Sequence, residues 1–456
     1  MAHSHTDGTS EPVAVTRGPR IALLVLLAVV AVATLVGLRD LWPDRSAVAE
    51  ATSRAQFAAP GVTFPKARIV SITQGCGTED DVEEGGLSDP ETLAAAGSCD
   101  LATVRVLTGD SAGRLSKVEL QGPMASSGLG PGDRIELMSV PGSADTASSA
   151  VAGPLADSEA QTLDSAFGID RNGSLAVLVV VFVALVVVVA RHRGLLALVA
   201  LVFSGLMLVR FVLPALVAGG PGLPIALVGS SAIMYVVLYV AHGLSLRTSV
   251  ALAGTLAGIA VTAAVTQYAV ASTHLSGFSD EASGVLSAMA GDIDFRGLLT
   301  CAIIVAGLGV LNDVTITQAS AVWELRAAAP DAPRRDVFAR AMRIGRDHIA
   351  STIYTIVFAY AGAAMSVLLL LYLYDRPALE LLTQEDIATE VVRTLCSAIG
   401  LVAAMPITTA IAACLAVRAR PAGPAVGGDP DPPDAHDPVF DDFWGERRSA
   451  GRPPRT

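Results

Sequence analysis

Charge is scarce in this sequence: 16% of its 456 residues are Asp, Glu, Lys or Arg, against 52% hydrophobic ones, and mean hydropathy is +0.55. A soluble protein of this length needs a larger polar surface, so the balance implies a polytopic membrane protein with soluble attachments. Net positive charge is lacking too. The total is −12, with acids crowded into residues 79–91 and the tail and arginines gathered in connectors between apolar runs. Nothing in that distribution offers a basic surface to nucleic acid, and no such partner is expected. Cysteine is rare, with five in the chain. Cys301, Cys396 and Cys414 sit in apolar runs, where they read as small hydrophobes; only Cys76 and Cys99 lie in a polar region. The chain has no nucleotide-binding loop and no pair of histidines at helical spacing in an apolar run, so no cofactor or metal is expected. Intramembrane proteolysis lacks its motifs. Tyr374-Asp375 follows the Asp313 run instead of preceding a Gly-x-Gly-Asp, and Ser204-Gly205 follows Val202-Phe203, so the rhomboid Gly-x-Ser-Gly is absent. No enzymatic activity is expected.

What is present is a series of apolar runs. Residues 1–20 form a polar N-terminus with Arg17 and Arg20 before the run 21–38. That run is longer than a signal-peptide core, and the A-x-A site Ala47-Val48-Ala49 lies well beyond its end, so an uncleaved signal anchor is expected. Residues 39–173 form a β-rich domain, with alternating runs at 67–72, 102–107, 115–120 and 134–140 separated by turn formers, and a small barrel or sandwich follows. The insertion from Cys76 to Cys99 carries seven acids. It reads as a solvated loop stapled by a disulfide; a divalent-cation site is the sharper alternative, but the ligand spacing of an EF-hand is missing. Residues 141–173, rich in Ala, Ser, Asp and Gly, predict a flexible linker. Seven further spans are expected at 174–190, 195–217, 224–241, 248–270, 297–322, 349–372 and 394–417, and residues 418–456 form a Pro-, Asp- and Gly-rich disordered tail. The fold class is mostly α: a polytopic helical membrane protein with about eight spans and a small β-rich extracytoplasmic domain.

Arginines orient the spans. Connectors on the side of the N-terminus hold eleven, and the opposite side holds Arg296, Arg376 and Arg393 outside the β-rich domain. This places both termini in the cytoplasm and residues 39–173 outside, where the oxidising setting permits a Cys76 to Cys99 bond. The location is the cell membrane, with the lipid bilayer as the first partner and a second copy or a partner membrane subunit as the further expectation.

Length then singles out one acid. The apolar residues 297–311 make about 22 Å of helix, short of the roughly 30 Å hydrocarbon core. Asp292, Asp294 and Arg296 bar extension upstream, so the helix must continue through Asn312, Asp313 and Thr317. Intramembrane ionisable groups are rare and usually functional. On this span Ala306, Gly309, Asp313, Thr317 and Ser320 share one face; on the next, Asp347, Ser351, Thr355, Ala359, Gly362 and Ser366 do the same. A hairpin of the two spans lets these polar stripes meet, either as close packing or as a site around Asp313. Arg210, the other charge within a span, stands about 12 Å from Asp313 along the axis, so either a strained pair forms or Arg210 snorkels to the outer headgroups. Gly254 and Gly258 read as a helix contact face; Ser231, Tyr235, Tyr239 and His242 line a further helix side; and Pro406 predicts a kink, with Thr408 and Thr409 bonding freed carbonyls.

Gly309 and Asp313-Val314, with Gly345-Arg346-Asp347 followed by Thr355, Ala359-Tyr360 and Gly362, resemble the YibE/F family of bacterial multi-pass membrane proteins. The resemblance covers about 174 to 417 and departs at Tyr354, where the family often carries Asn. It implies the seven-span architecture of 174–417, and it implies no established activity. Two functions compete. One is a transporter or permease component in which Asp313, with Asn312 and Thr317, forms a proton- or cation-linked site, since a carboxyl group in low dielectric holds a proton more readily. The other is a membrane scaffold or sensor whose external domain binds a ligand or partner.

Overall fold

The computed structural model describes residues 14–54, 61–75, 99–141, 163–278, 281–289, 293–373 and 377–417. Cys76, the acidic insertion, most of the expected linker and the tail 418–456 lie outside them. Helix α1 (Arg17–Asp40) covers the expected anchor and is followed by a short helix, α2 (Arg45–Arg54), that no sequence signal announces.

The β-rich domain is one antiparallel sheet. Its strands are β2 (Lys66–Gln74), β3 (Cys99–Val106), β4 (Leu115–Gln121), β5 (Arg134–Val140) and β6 (Leu163–Ile169), in the spatial order β4-β3-β2-β5-β6. Period-2 alternation buries Ala67, Ile69, Ala102, Val104, Val106, Val118, Leu120, Ile135 and Leu137 on one face. The edge strands curl toward each other: Arg114, at the start of β4, pairs with the buried carboxylate of Asp164 on β6, which also accepts from Ser139 Oγ. The sheet is thereby nearly closed into a barrel. Strand β6 corrects the expected linker, because 163–169 pairs with β5 along its whole length. Cys99 is disulfide-bonded, while Cys301, Cys396 and Cys414 are free.

Helices make up the rest. Helix α3 (Asn172–Met207) covers the expected span 174–190 and the first part of 195–217 in one run, broken at Arg191, whose φ of 52° and ψ of −134° are not helical. On a straight helix residues eight apart are separated by about 12 Å. Here a Cβ on Gly194 would stand 2.5 Å from the carbonyl oxygen of Val186, so the chain turns back on itself at the break, and only glycine fits there. A π-helical turn (Leu208–Val212) then leads into α4 (Leu213–Val217). Pro214 explains it: proline has no N–H for the carbonyl four residues back, and the widened turn absorbs the mismatch.

Next come α5 (Gly222–His242), α6 (Leu246–Ser272), α7 (Glu281–Met289), α8 (Phe295–Ala328), α9 (Arg334–Ala363), α10 (Met365–Leu373), α11 (Ala378–Leu381) and α12 (Glu385–Leu415). The tightest pair is α6 with α12. A Cβ on Gly254 would overlap the Thr408 hydroxyl, one on Gly258 would come within 2.9 Å of Ala404 Cβ, and one on Gly400 would overlap Thr262. These four-residue steps run in opposite directions along the two helices, which are therefore antiparallel neighbours with each threonine set into the other's glycine. Pro406 lies inside α12 without ending it, and Thr408 and Thr409 bond the carbonyls of Ala404 and Met405 rather than that of Val402, which proline leaves free. The expected span 349–372 is not straight, since α9 and α10 meet at 68° around Ala364.

Among the described residues, six helices are long and apolar enough to cross a membrane, α3 with α4 counting once, and the bent pair α9–α10 makes up to seven. At one end of the bundle β1 (Ala14–Val15) pairs antiparallel with β7 (Ala416–Val417), joining the start of α1 to the end of α12. Arg326 secures the same end. Buried at the last turn of α8, its guanidinium donates to the carbonyl oxygens of Ala416 (3.1 Å), Pro330 (3.2 Å) and Ala332 (2.6 Å). At the other end the Glu385 carboxylate accepts from the backbone N–H of Ser276 (2.7 Å) and Gly277 (3.2 Å), holding the loop after α6 to the start of α12.

Candidate functional site

Asp294 sets the position of everything on α8. Its Oδ1 accepts from the Gly297 N–H at 3.0 Å as an N-cap, which fixes the helix start at Phe295. Asp313 then stands eighteen residues in, about 27 Å along the axis. Opposite faces of α8 divide the labour. Leu308, Leu311, Val314, Thr315, Gln318, Ala319 and Val322 are buried against neighbouring helices, whereas Ala306, Gly309, Asp313 and Thr317 are exposed on one stripe.

The buried side is tied by polar contacts. Thr315 Oγ1 lies 2.7 Å from Thr255 Oγ1 on α6, and Gln318 Nε2 donates to the Ala341 carbonyl of α9 at 2.9 Å. Gly345 makes room for that crossing, since a Cβ there would overlap Met405 and stand 3.0 Å from Gln318 Oε1. Helix α9 is thus pinned beside α8 with a defined register.

That register brings His348 to Asp313. Nε2 of the imidazole is 3.5 Å from Asp313 Oδ2, with the carboxylate side chain 64% exposed and the imidazole 31% exposed. His348 borders the buried face of α9, made by Ala341, Gly345, Thr352 and Ile356, and it makes no hydrogen bond through Nε2. Sequence reasoning missed it. A lone histidine after Arg346-Asp347 reads as part of a solvated connector; the available signal was its place on the same helical face as Gly345 and Thr352.

The other expected residues are distributed as follows. Thr317 lies one turn from Asp313 on the same exposed stripe. Asn312 is turned partly inward, its Oδ1 buried without a hydrogen-bond partner and its carbonyl accepting from Thr315. Asp347, Ser351 and Thr355 are exposed on α9; the Thr355 hydroxyl bonds the Ser351 carbonyl of its own helix, and Asp347 has no ion pair among the described residues. The two polar stripes therefore do not face each other: Asp313 meets α9 at His348, which lies off the α9 stripe. Arg210 does not join them. It lines a cavity of about 510 Å³ with Trp42, Pro43, Arg45 and Pro214, because the π-helical turn that carries it packs beside the end of α1 and α2. Tyr235, expected on a helix side, donates to the Leu27 carbonyl at 2.6 Å and docks α1 on α5.

The arrangement can hold a proton in two places at equal net charge, as an ion pair or as a neutral acid beside a neutral imidazole. Loss of that proton leaves one negative charge, which a bound cation can neutralise. Neither the curated proteins nor the solved structures compared with this chain give a match. One family does, the YibE/F-like proteins, over residues 178–418, from just inside α3 to just past β7. That span takes in every helix that builds the Asp313–His348 pair, and the chain belongs to the YibE/F-like family.

Proposed function

We propose that this membrane protein is a proton- or cation-linked transporter or permease component, with Asp313 as its coupling group and His348 as the group that shares its proton. The observation that carries this reading is the 3.5 Å contact between the two on an open face of the helical bundle. A carboxylate in the hydrocarbon region costs a few kcal/mol, and helix packing has no use for one. An imidazole alongside supplies both neutralisation and a second proton position. Thr317 offers a hydroxyl ligand one turn away. The reading assigns the chain a carrier's role and no catalytic one.

The finer topology is part of the same proposal, and the clasp of β1 on β7 supports it. Ends held together lie on one side of the membrane, so the number of crossings is even. Splitting α3 at Arg191 and counting the bent pair α9–α10 as one crossing makes eight, and the excess of arginine in the connectors favours the cytoplasm for the clasped side. Exposure of Asp313 on the outside of the bundle also favours a second copy, or a partner subunit, covering that stripe.

The test is flux in proteoliposomes under an imposed proton or sodium gradient. Asp313→Asn abolishes gradient-dependent uptake and His348→Gln weakens it at least tenfold. Unchanged flux in Asp313→Asn ends the proposal.

A scaffold or sensor is the second reading, favoured by the β-rich domain having an apolar core of its own. Removing residues 61–170 separates the two: a sensor loses all output, whereas a transporter keeps basal flux.

A further inference from the structure

A cleft of about 280 Å³ opens at the clasped end of the bundle; Asp313 is not part of its lining, which begins one turn further along α8. Its walls come from three places in the chain. The break in α3 supplies His192, Arg193 and Leu196; the turn between α5 and α6 supplies His242, Gly243, Arg247 and Thr248; and α8 supplies Ile316 and Ser320. Two arginines and two histidines thus line one concave surface. Arg193 and Arg247 lie close enough for both charges to act on His242. The carboxylate that answers them is Glu324, whose Oε1 stands 3.9 Å from Arg247 and whose side chain is itself largely exposed. Positive charge is left over on one concave surface, where like charges repel and a bound anion would relieve the repulsion.

We infer that this cleft binds a phosphate-bearing anion, and that its source is the headgroup of an anionic phospholipid. Guanidinium groups match phosphate oxygens with paired donors; Thr248 and Ser320 also line the cleft, with their hydroxyls engaged by Ser245 and His242 and by the Ile316 carbonyl. The volume lies at the small end of ligand pockets, roughly 300–1,000 Å³, and admits a headgroup. What favours a lipid over free phosphate is the apolar neighbourhood. Leu196 and Ile316 line the cleft, and Val188, Val189 and Leu195 stand exposed on both sides of the Arg191 break, a ready bed for acyl chains. The site lies at the end where α3 reverses, so an occupying headgroup would brace the turn that Gly194 makes possible.

Native mass spectrometry of the full chain in detergent tests this, with phosphatidylglycerol, phosphatidylcholine and inorganic phosphate as probes. Wild-type protein retains phosphatidylglycerol in preference to phosphatidylcholine, and the Arg193→Ala/Arg247→Ala variant binds it roughly 30-fold more weakly, at about one kcal/mol for each basic side chain near an anionic surface. The Arg193→Lys/Arg247→Lys variant, which keeps the charge but not the paired donors, binds with an affinity between the two, which separates loss of charge from misfolding. Equal retention of the two lipids by wild-type protein, or an unchanged affinity in the alanine variant, overturns the inference. Displacement of phosphatidylglycerol by equimolar inorganic phosphate overturns its assignment to a lipid.

Discussion

At the scale of single residues, buried or half-buried polar groups mark the places where this chain is specific. Arg326 is the strongest case away from the candidate site, since three carbonyl oxygens depend on one guanidinium. Replacing it with Ala strands those acceptors at a cost of about 3 kcal/mol, while Lys restores part of the loss. Thermal unfolding of the detergent-purified protein should show the midpoint falling in the order wild type, Arg326→Lys, Arg326→Ala. Asp170 is a smaller case. The Lys66 ammonium, 3.0 Å from its Oδ2, holds the carboxyl below its ordinary value of 3.8. The sign follows from linkage: the contact stabilises the β-rich domain above that ordinary value and is lost as pH falls through the lowered one. Protease resistance of the domain should therefore drop on acidification in the wild type and drop less in Asp170→Asn. Sequence alone proposes Asp313, because the apolar residues before it are too few to make a full crossing. It cannot pick out His348, whose role arises only when α9 is pinned against α8 by Gln318 and Gly345.

Among the elements, the antiparallel contact of α6 and α12 is the most exacting. Gly254 and Gly400 each receive a threonine from the facing helix, so a methyl group at either has nowhere to go. Gly400→Ala should destabilise by about 1–3 kcal/mol, and a second change, Thr262→Ala, should recover part of it by emptying the occupied space. Melting of the two variants and their combination checks the coupling; simple additivity would show that the two residues do not share the space. Much of this level is readable beforehand. The apolar runs and the Gly254/Gly258 pair announce the spans and one contact face, and period-2 alternation announces four of the five strands of the sheet. Strand β6 stays hidden because Leu-Asp-Ser-Ala-Phe-Gly-Ile has few β-branched residues and follows a stretch that reads as linker; it is specified by pairing with β5 and by Asp164. The break at Arg191 is half-visible: a short basic interruption suggests a turn, but the reversal depends on Gly194 meeting Val186.

For the whole molecule, what matters is that its described ends meet. Cysteines placed singly at Arg17 and Ala416 in a cysteine-free background should react with an impermeant thiol reagent from the same side of a vesicle; opposite accessibility would contradict an even number of crossings. A chain whose first and last described residues touch is close to a ring. It can be given new ends: linking Val417 to Ala14 by a short peptide, and opening the backbone between Gly243 and Ser245, preserves the helix pairings while changing the order in which a ribosome delivers them. If packing rather than order of synthesis decides the arrangement, such a permuted chain inserts and assembles as the original does.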